Sequence, residues 1–205
     1  MIPCTLVHAA YDPPSTFASS CAAEVSSMLV SINCTFFEIQ GPKACKSEIH
    51  KHLLNFSTDT HGFFNYGHGS EVALFGYKGE VILDMSCAHL LRRKICYVIS
   101  CLAAKEFGRK VISNGGICFL GFGGDFEYSP FYEEIFRACA NSGAKAMIQK
   151  KTTAGEAFKI MKETFDNAMS NLVKDSNNGN WIVLLSLFRD RDYLRLLGDG
   201  SASLW

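Results

Sequence analysis

Two residue pairs carry the chemistry in this sequence. They are His68-Gly69, in HGFFNYGHGS (61–70), and Ser100-Cys101, in ICYVISCLAAKEFG (95–108). Histidine supplies a base that titrates near neutrality and cysteine a sulfur nucleophile, the two parts that covalent acyl transfer requires. A glycine after the histidine permits close approach to the backbone. Each pair follows a short apolar run bounded by glycine or polar residues, which reads as a buried strand. Loops leaving the carboxyl ends of adjacent parallel strands meet at one edge of the sheet, so the two pairs are expected to meet there. Alone, a strand-end histidine is more often simply hydrogen-bonded and a buried cysteine a small hydrophobe; the pairing is what points to catalysis. His61 is a rival base, also followed by glycine, but it stands at the start of its run and should face the opposite edge. Ser86, Cys87 and His89 read as decoration on a short surface helix.

The surrounding elements alternate. CTLVHAAYD (4–12) reads as an opening strand stopped by Pro13-Pro14, and residues 15–32 as a helix with Ser15 as cap and Phe17, Cys21, Val25, Met28, Leu29 and Ile32 on one face. A strand (34–41), a helix (46–55) and a third strand ending at His68 follow. Residues 73–84 have the glycine-punctuated look of a hairpin, and a short helix (86–93) leads to the strand ending at Cys101. A helix (103–116) and a fifth strand (117–122) come next, then a helix opened by Ser129-Pro130 and closed by Gly143. Thr153 and Glu156 form a capping box before a long amphipathic helix bearing Phe158, Met161, Phe165, Met169 and Leu172. NNGN (177–180) reads as a loop, WIVLLSLF (181–188) as a sixth strand, and Arg189 to Asp192 as a charged turn into YLRLL. Strands alternating with helices predict an α/β fold with a mostly parallel six-stranded sheet covered on both faces.

The totals narrow the function classes. A chain of 205 residues with no repeat or linker reads as one domain spanning 1–205. Twenty basic against twenty acidic residues give no prior for nucleic acid or for an anionic membrane. The first residues lack a signal-peptide pattern, and no run approaches a membrane span. Nine scattered cysteines without CxxC or His/Cys ligand spacing indicate free thiols in a reducing cytosol rather than a zinc site or a disulfide framework. No cofactor is expected, and nothing encodes a calcium loop. GFGGD (121–125) lacks the lysine and the full fingerprint of a phosphate-binding loop.

YGHGS (66–70) and VISCLAAKEFGRKVISNGGICFLGF (98–122) together resemble the caspase-like cysteine peptidases of clan CD. The helix, paired glycine and strand after Cys101 look most like the CHAT, gingipain and separase branch, and WIVLLSLFRDRDYLRLLGD (181–199) resembles its closing strands. The caspase QAC signature is absent, since residues 99–102 read Ile-Ser-Cys-Leu. The resemblance implies a caspase-like three-layer αβα sandwich. It also implies an endopeptidase in which Cys101 is the nucleophile, His68 the acid/base, and the N–H groups of Gly69 and Cys101 the oxyanion donors. In this clan the two side chains need not touch in the free enzyme. A protein or peptide substrate, a partner that switches activity on, and a role in a bacterial defence or cell-death module are further implications.

A helix starting just after Cys101 is expected to lower its thiol pKa. Caspases hold an acidic P1 residue with arginines, whereas the matching places here carry Tyr11-Asp12 and Gly123-Gly124-Asp125. Acids at the pocket rim suit Arg or Lys at P1. Asp125 is the first choice for that pocket, Asp12 the second and Glu127 the third, each equally readable as a solvated loop carboxylate. The alternative function is a catalytically silent caspase-like scaffold that binds through the cleft or a sheet edge.

Overall fold

A computed structural model describes residues 2–55, 61–174 and 181–205. In chain order its principal elements are β1 (Cys4–His8), α1 (Pro13–Ser31), β2 (Phe36–Gln40), α2 (Lys46–Asn55), β3 (His61–Tyr66), β4 (Ala73–Phe75) and β5 (Val81–Asp84). There follow β6 (Lys94–Ile99), α3 (Glu106–Ser113), β7 (Cys118–Phe122), α4 (Glu133–Gln149), α5 (Ala154–Lys174), α6 (Trp181–Tyr193) and β8 (Leu194–Gly198). Six strands form one sheet in the order β2-β1-β3-β6-β7-β8; β4 and β5 pair separately as the expected hairpin. Every neighbouring pair in the large sheet is parallel except β7 with β8.

The central strands are apolar because both of their faces are covered. Every residue of β1, β3, β6 and β7 is buried. Alternate side chains go to opposite layers. Leu6, Phe64, Tyr66, Tyr97 and Leu120 pack with α1, α4, α5 and α6. Val7, Phe63, Cys96, Val98 and Phe119 pack with α2, α3 and the hairpin. The result is the expected three-layer αβα sandwich with a mostly parallel six-stranded sheet.

Four local expectations are corrected. WIVLLSLF is the start of α6 and not a strand. Val183, Leu187 and Asp190 are buried at helical spacing, while Trp181, Ile182, Leu185 and Phe188 face outward. The sixth strand is β8, antiparallel at the sheet edge. Gly143 does not close α4, which continues to Gln149; a Cβ at Gly143 would lie 2.6 Å from Met161 Sδ and 2.8 Å from the Tyr97 ring, so the glycine lets three elements approach. The cap of α1 is Asp12, whose carboxylate accepts the Ser15 N–H while the Ser15 hydroxyl accepts the Asp12 N–H, with Pro13-Pro14 as the first helical residues. Residues 102–105 form turns, so α3 begins at Glu106 rather than directly after Cys101. The capping box at Thr153 and Glu156 forms as expected. The loop read at 177–180 lies outside the described residues.

Candidate active site

The register of the sheet assembles the site. His8 pairs with Tyr66, Tyr66 with Ile99 and Val98 with Gly121, so β1, β3, β6 and β7 end along one line. A few residues beyond that line lie Tyr11-Asp12, His68-Gly69, Ser100-Cys101 and Gly123–Asp125. His61, the rival base, stands at the other end of β3, fully buried with its Nε2 at 2.6 Å from Thr5 Oγ1.

The two pairs meet through their backbones. A Cβ on Gly69 would lie 2.7 Å from the Cys101 carbonyl oxygen and 2.8 Å from Ser100 Cβ, so only glycine fits against this turn. Gly69 also faces Leu74 of the hairpin, and the bonds of that bridge run from Ser70 N–H to the Ala73 carbonyl and from Phe75 N–H to the His68 carbonyl. In such a pair the Gly69 N–H is directed away from the hairpin. The strand end beneath is fixed by Asn65, whose amide donates to the Ser100 hydroxyl at 3.0 Å.

Cys101 stands at a sharp turn. Leu102 has φ 61°, the left-handed region that non-glycine residues rarely adopt. Its N–H donates to the Gly124 carbonyl and that of Ala104 to the Phe122 carbonyl, which tie the turn to β7 and the loop after it. The turn holds the half-buried sulfur against that loop, where the Phe126 N–H donates to Cys101 Sγ at 3.4 Å and the thiol points back to the Phe126 carbonyl at 3.9 Å. Burial raises the Cys101 pKa above its usual range, and the charges of Asp125 and Asp190 add to this against the Phe126 N–H. The net lowering expected from a helix directly after the cysteine is not found: α3 begins only at Glu106, beyond the turns at 102–105.

His68 and Cys101 line one narrow cleft of about 40 Å³ with Pro14, Phe17, Ser100, Phe126 and Tyr128. The imidazole is oriented by Asp12, with Nε2 at 2.9 Å and 3.1 Å from the two carboxylate oxygens. A carboxylate only accepts, so Nε2 carries the proton and the neutral ring keeps Nδ1 as acceptor. Burial works to raise the Asp12 pKa, but the hydrogen bonds from Ser15 and the His68 contact outweigh it and hold the carboxyl below its usual value.

The three acids named from sequence occupy different situations. Asp12 caps α1 and holds His68. Glu127 accepts from Ser186 Oγ at 2.7 Å and pairs with Arg189 at 3.1 Å. Asp125 is exposed beside the cleft. Sequence reasoning missed a fourth acid, Asp190 of α6, which is fully buried and accepts the Glu127 N–H at 2.9 Å. Nothing in RDRD (189–192) separates a buried aspartate from a solvated one until α6 supplies its phase.

No protein-family model matches the chain, and no curated protein sequence matches it. Among solved structures, the chain superposes on a complex of the pro- and mature domains of RgpB, a gingipain of Porphyromonas gingivalis, with a TM-score of 0.59 at 11% identity. The match covers 97% of this chain and 47% of that one, so this chain spans about half the neighbour's length. At that identity the likeness establishes a caspase-like fold.

Proposed function

We propose that this chain is a cysteine endopeptidase acting through Cys101 and His68. One observation carries the reading: Gly69 lies so close to the Ser100-Cys101 turn that a Cβ would strike it, which brings an imidazole and a thiol to the same cleft. The caspase-like fold shared with a gingipain supports a peptidase of this kind. Cys101 passes its proton to His68 Nδ1 and attacks the scissile carbonyl carbon. The oxyanion takes hydrogen bonds from the Gly69 and Cys101 N–H groups. Collapse expels the amine, protonated by His68, and leaves a thioester that water hydrolyses with His68 as base. Asp12 keeps the ring in the tautomer this sequence of transfers needs.

In this reading the enzyme is a single cytoplasmic domain of the CHAT, gingipain and separase branch, with a defence or cell-death role. It cuts after Arg or Lys, with Asp125 as the pocket acid still exposed and Asp12 and Glu127 contributing their charge from fixed positions. A protein partner activates it. RgpB was captured as a complex of pro- and mature domains, which supports a companion polypeptide governing the cleft here. The rival reading, a silent caspase-like scaffold, draws on the narrowness of the cleft and the buried thiol.

Intact-mass labelling with peptidyl electrophiles bearing Arg or Asp at P1, on the native chain and on Cys101→Ala, separates these. A single adduct from the Arg probe, lost in Cys101→Ala, is the expected result. Preference for the Asp probe would keep the nucleophile and remove the acidic pocket. No adduct from either probe would favour the scaffold or an enzyme awaiting its activator.

A further inference from the structure

The segment Asp125–Tyr128 lies across the nucleophile and is bound to α6 at two points. Inside, the Glu127 N–H donates to Asp190, whose residue has no solvent exposure. Outside, the Glu127 carboxylate is held by Ser186 and Arg189. Between them and the cleft, Phe126 places both its N–H and its carbonyl near Cys101 Sγ, and its ring packs tilted against Phe122 and stacks with Phe17, ring centroids 4.8 and 6.3 Å apart. The other carboxylate oxygen of Asp190, Oδ2, is buried without a hydrogen-bond partner among the described residues. Burying a carboxyl oxygen without a partner is unfavourable, so packing alone does not account for Asp190 at this position.

We propose that Asp190 is a positioning residue that fixes Phe126 and Glu127 as a strap over Cys101, and that lifting this strap off Asp190 opens the cleft to substrate. The proposal rests on Cys101 being the reactive thiol of the reading above. In the strapped conformation the cleft holds about 40 Å³, room for a few water molecules at most, whereas a peptide must lie across the sulfur. A strap attached by one buried and two outer contacts gives a closed resting state without any further domain. Asp190 acts on the thiol only through the loop it holds.

The test compares Asp190→Ala with Asp190→Asn, which retains a carbonyl acceptor for the Glu127 N–H. Two quantities are read: the rate of Cys101 alkylation by iodoacetamide, and amide exchange at residues 126–127 against that of β3 and β6. Asp190→Ala should alkylate about tenfold faster, the worth of one net hydrogen bond, with faster exchange confined to the strap; Asp190→Asn should match the native chain in both. Should Asp190→Ala fail to fold, the double variant Ser186→Ala, Arg189→Ala loosens the strap from outside and should shift both quantities the same way. An unchanged alkylation rate alongside lost strap protection would overturn the proposal, as would Asp190→Asn behaving like Asp190→Ala. Faster alkylation without labelling by any peptidyl probe would uphold the strap and sink the peptidase reading. Peptidyl labelling with equal alkylation rates in all variants would do the reverse.

Discussion

At the scale of single residues, the imidazole and the thiol are set by different forces. His68 is held by a carboxylate, so His68→Ala should lower kcat by about 10²–10⁴, the range of general acid–base catalysis. Asp12→Asn keeps the capping geometry but turns a pure acceptor into an ambiguous one. Its smaller loss should fall on kcat more than on KM, as steady-state assays on a peptide substrate would show. Cys101 is held up by burial, so in the free chain its alkylation rate should keep rising with pH beyond the usual thiol range instead of levelling near neutrality. A plateau at pH 7 would contradict that. Gly69→Ala should leave the chain folded but reduce kcat/KM about 10²-fold or more, since the methyl group displaces the Cys101 carbonyl and with it the proposed oxyanion donor. The placement of His68, Gly69 and Cys101 just beyond strand ends was legible because short apolar runs announced where strands end. The partnership of Asp12 with His68 was not. Its sequence signal, an acid before Pro-Pro-Ser, marks a helix cap, and only the parallel pairing of β1 with β3 brings that cap beside the histidine.

Elements show the same division. β1, β3, β6 and β7 could be read directly, because strands buried on both faces are continuous apolar runs of strand length. The run WIVLLSLF satisfies that same description yet forms α6, and the deciding information lies downstream: the phase continues through Asp190 to Tyr193. Gly143 misled for the opposite reason, since a glycine in a helix marks either an end or a close packing contact, and sequence cannot separate them. Gly143→Ala should improve helix propensity by about 1 kcal/mol yet still destabilise the chain by about 1–3 kcal/mol through overpacking against Met161 and Tyr97. A higher urea midpoint would refute the packing argument.

For the whole molecule, the sheet divides two regimes. At the edge opposite the cleft, His61 is buried beside Thr5, and burial, with the nearby Lys94 charge, lowers its pKa to about 4. Between that value and the 6.5 of a free imidazole the unfolded chain binds the extra proton, so stability is full above pH 6.5 and falls as the pH drops toward 4. The loss is on the order of 3 kcal/mol. Asp190, raised by burial, pulls the other way. Urea unfolding of the native chain and His61→Asn at pH 7 and pH 5 isolates the histidine, and equal slopes in both would exclude it. The edge bearing His68 and Cys101 is governed instead by register. Because Tyr66 pairs with Ile99, His68 and Cys101 both stand two positions past a matched pair. Register therefore makes the site a matter of parity. Removing one residue from β3 or β6 turns every later side chain in that strand to the other layer and carries histidine and cysteine out of step. Removing a matched residue from each keeps them in step at the price of both cores. Viable length variation is thus confined to the connections, and the meeting of imidazole and thiol is inherited from a count.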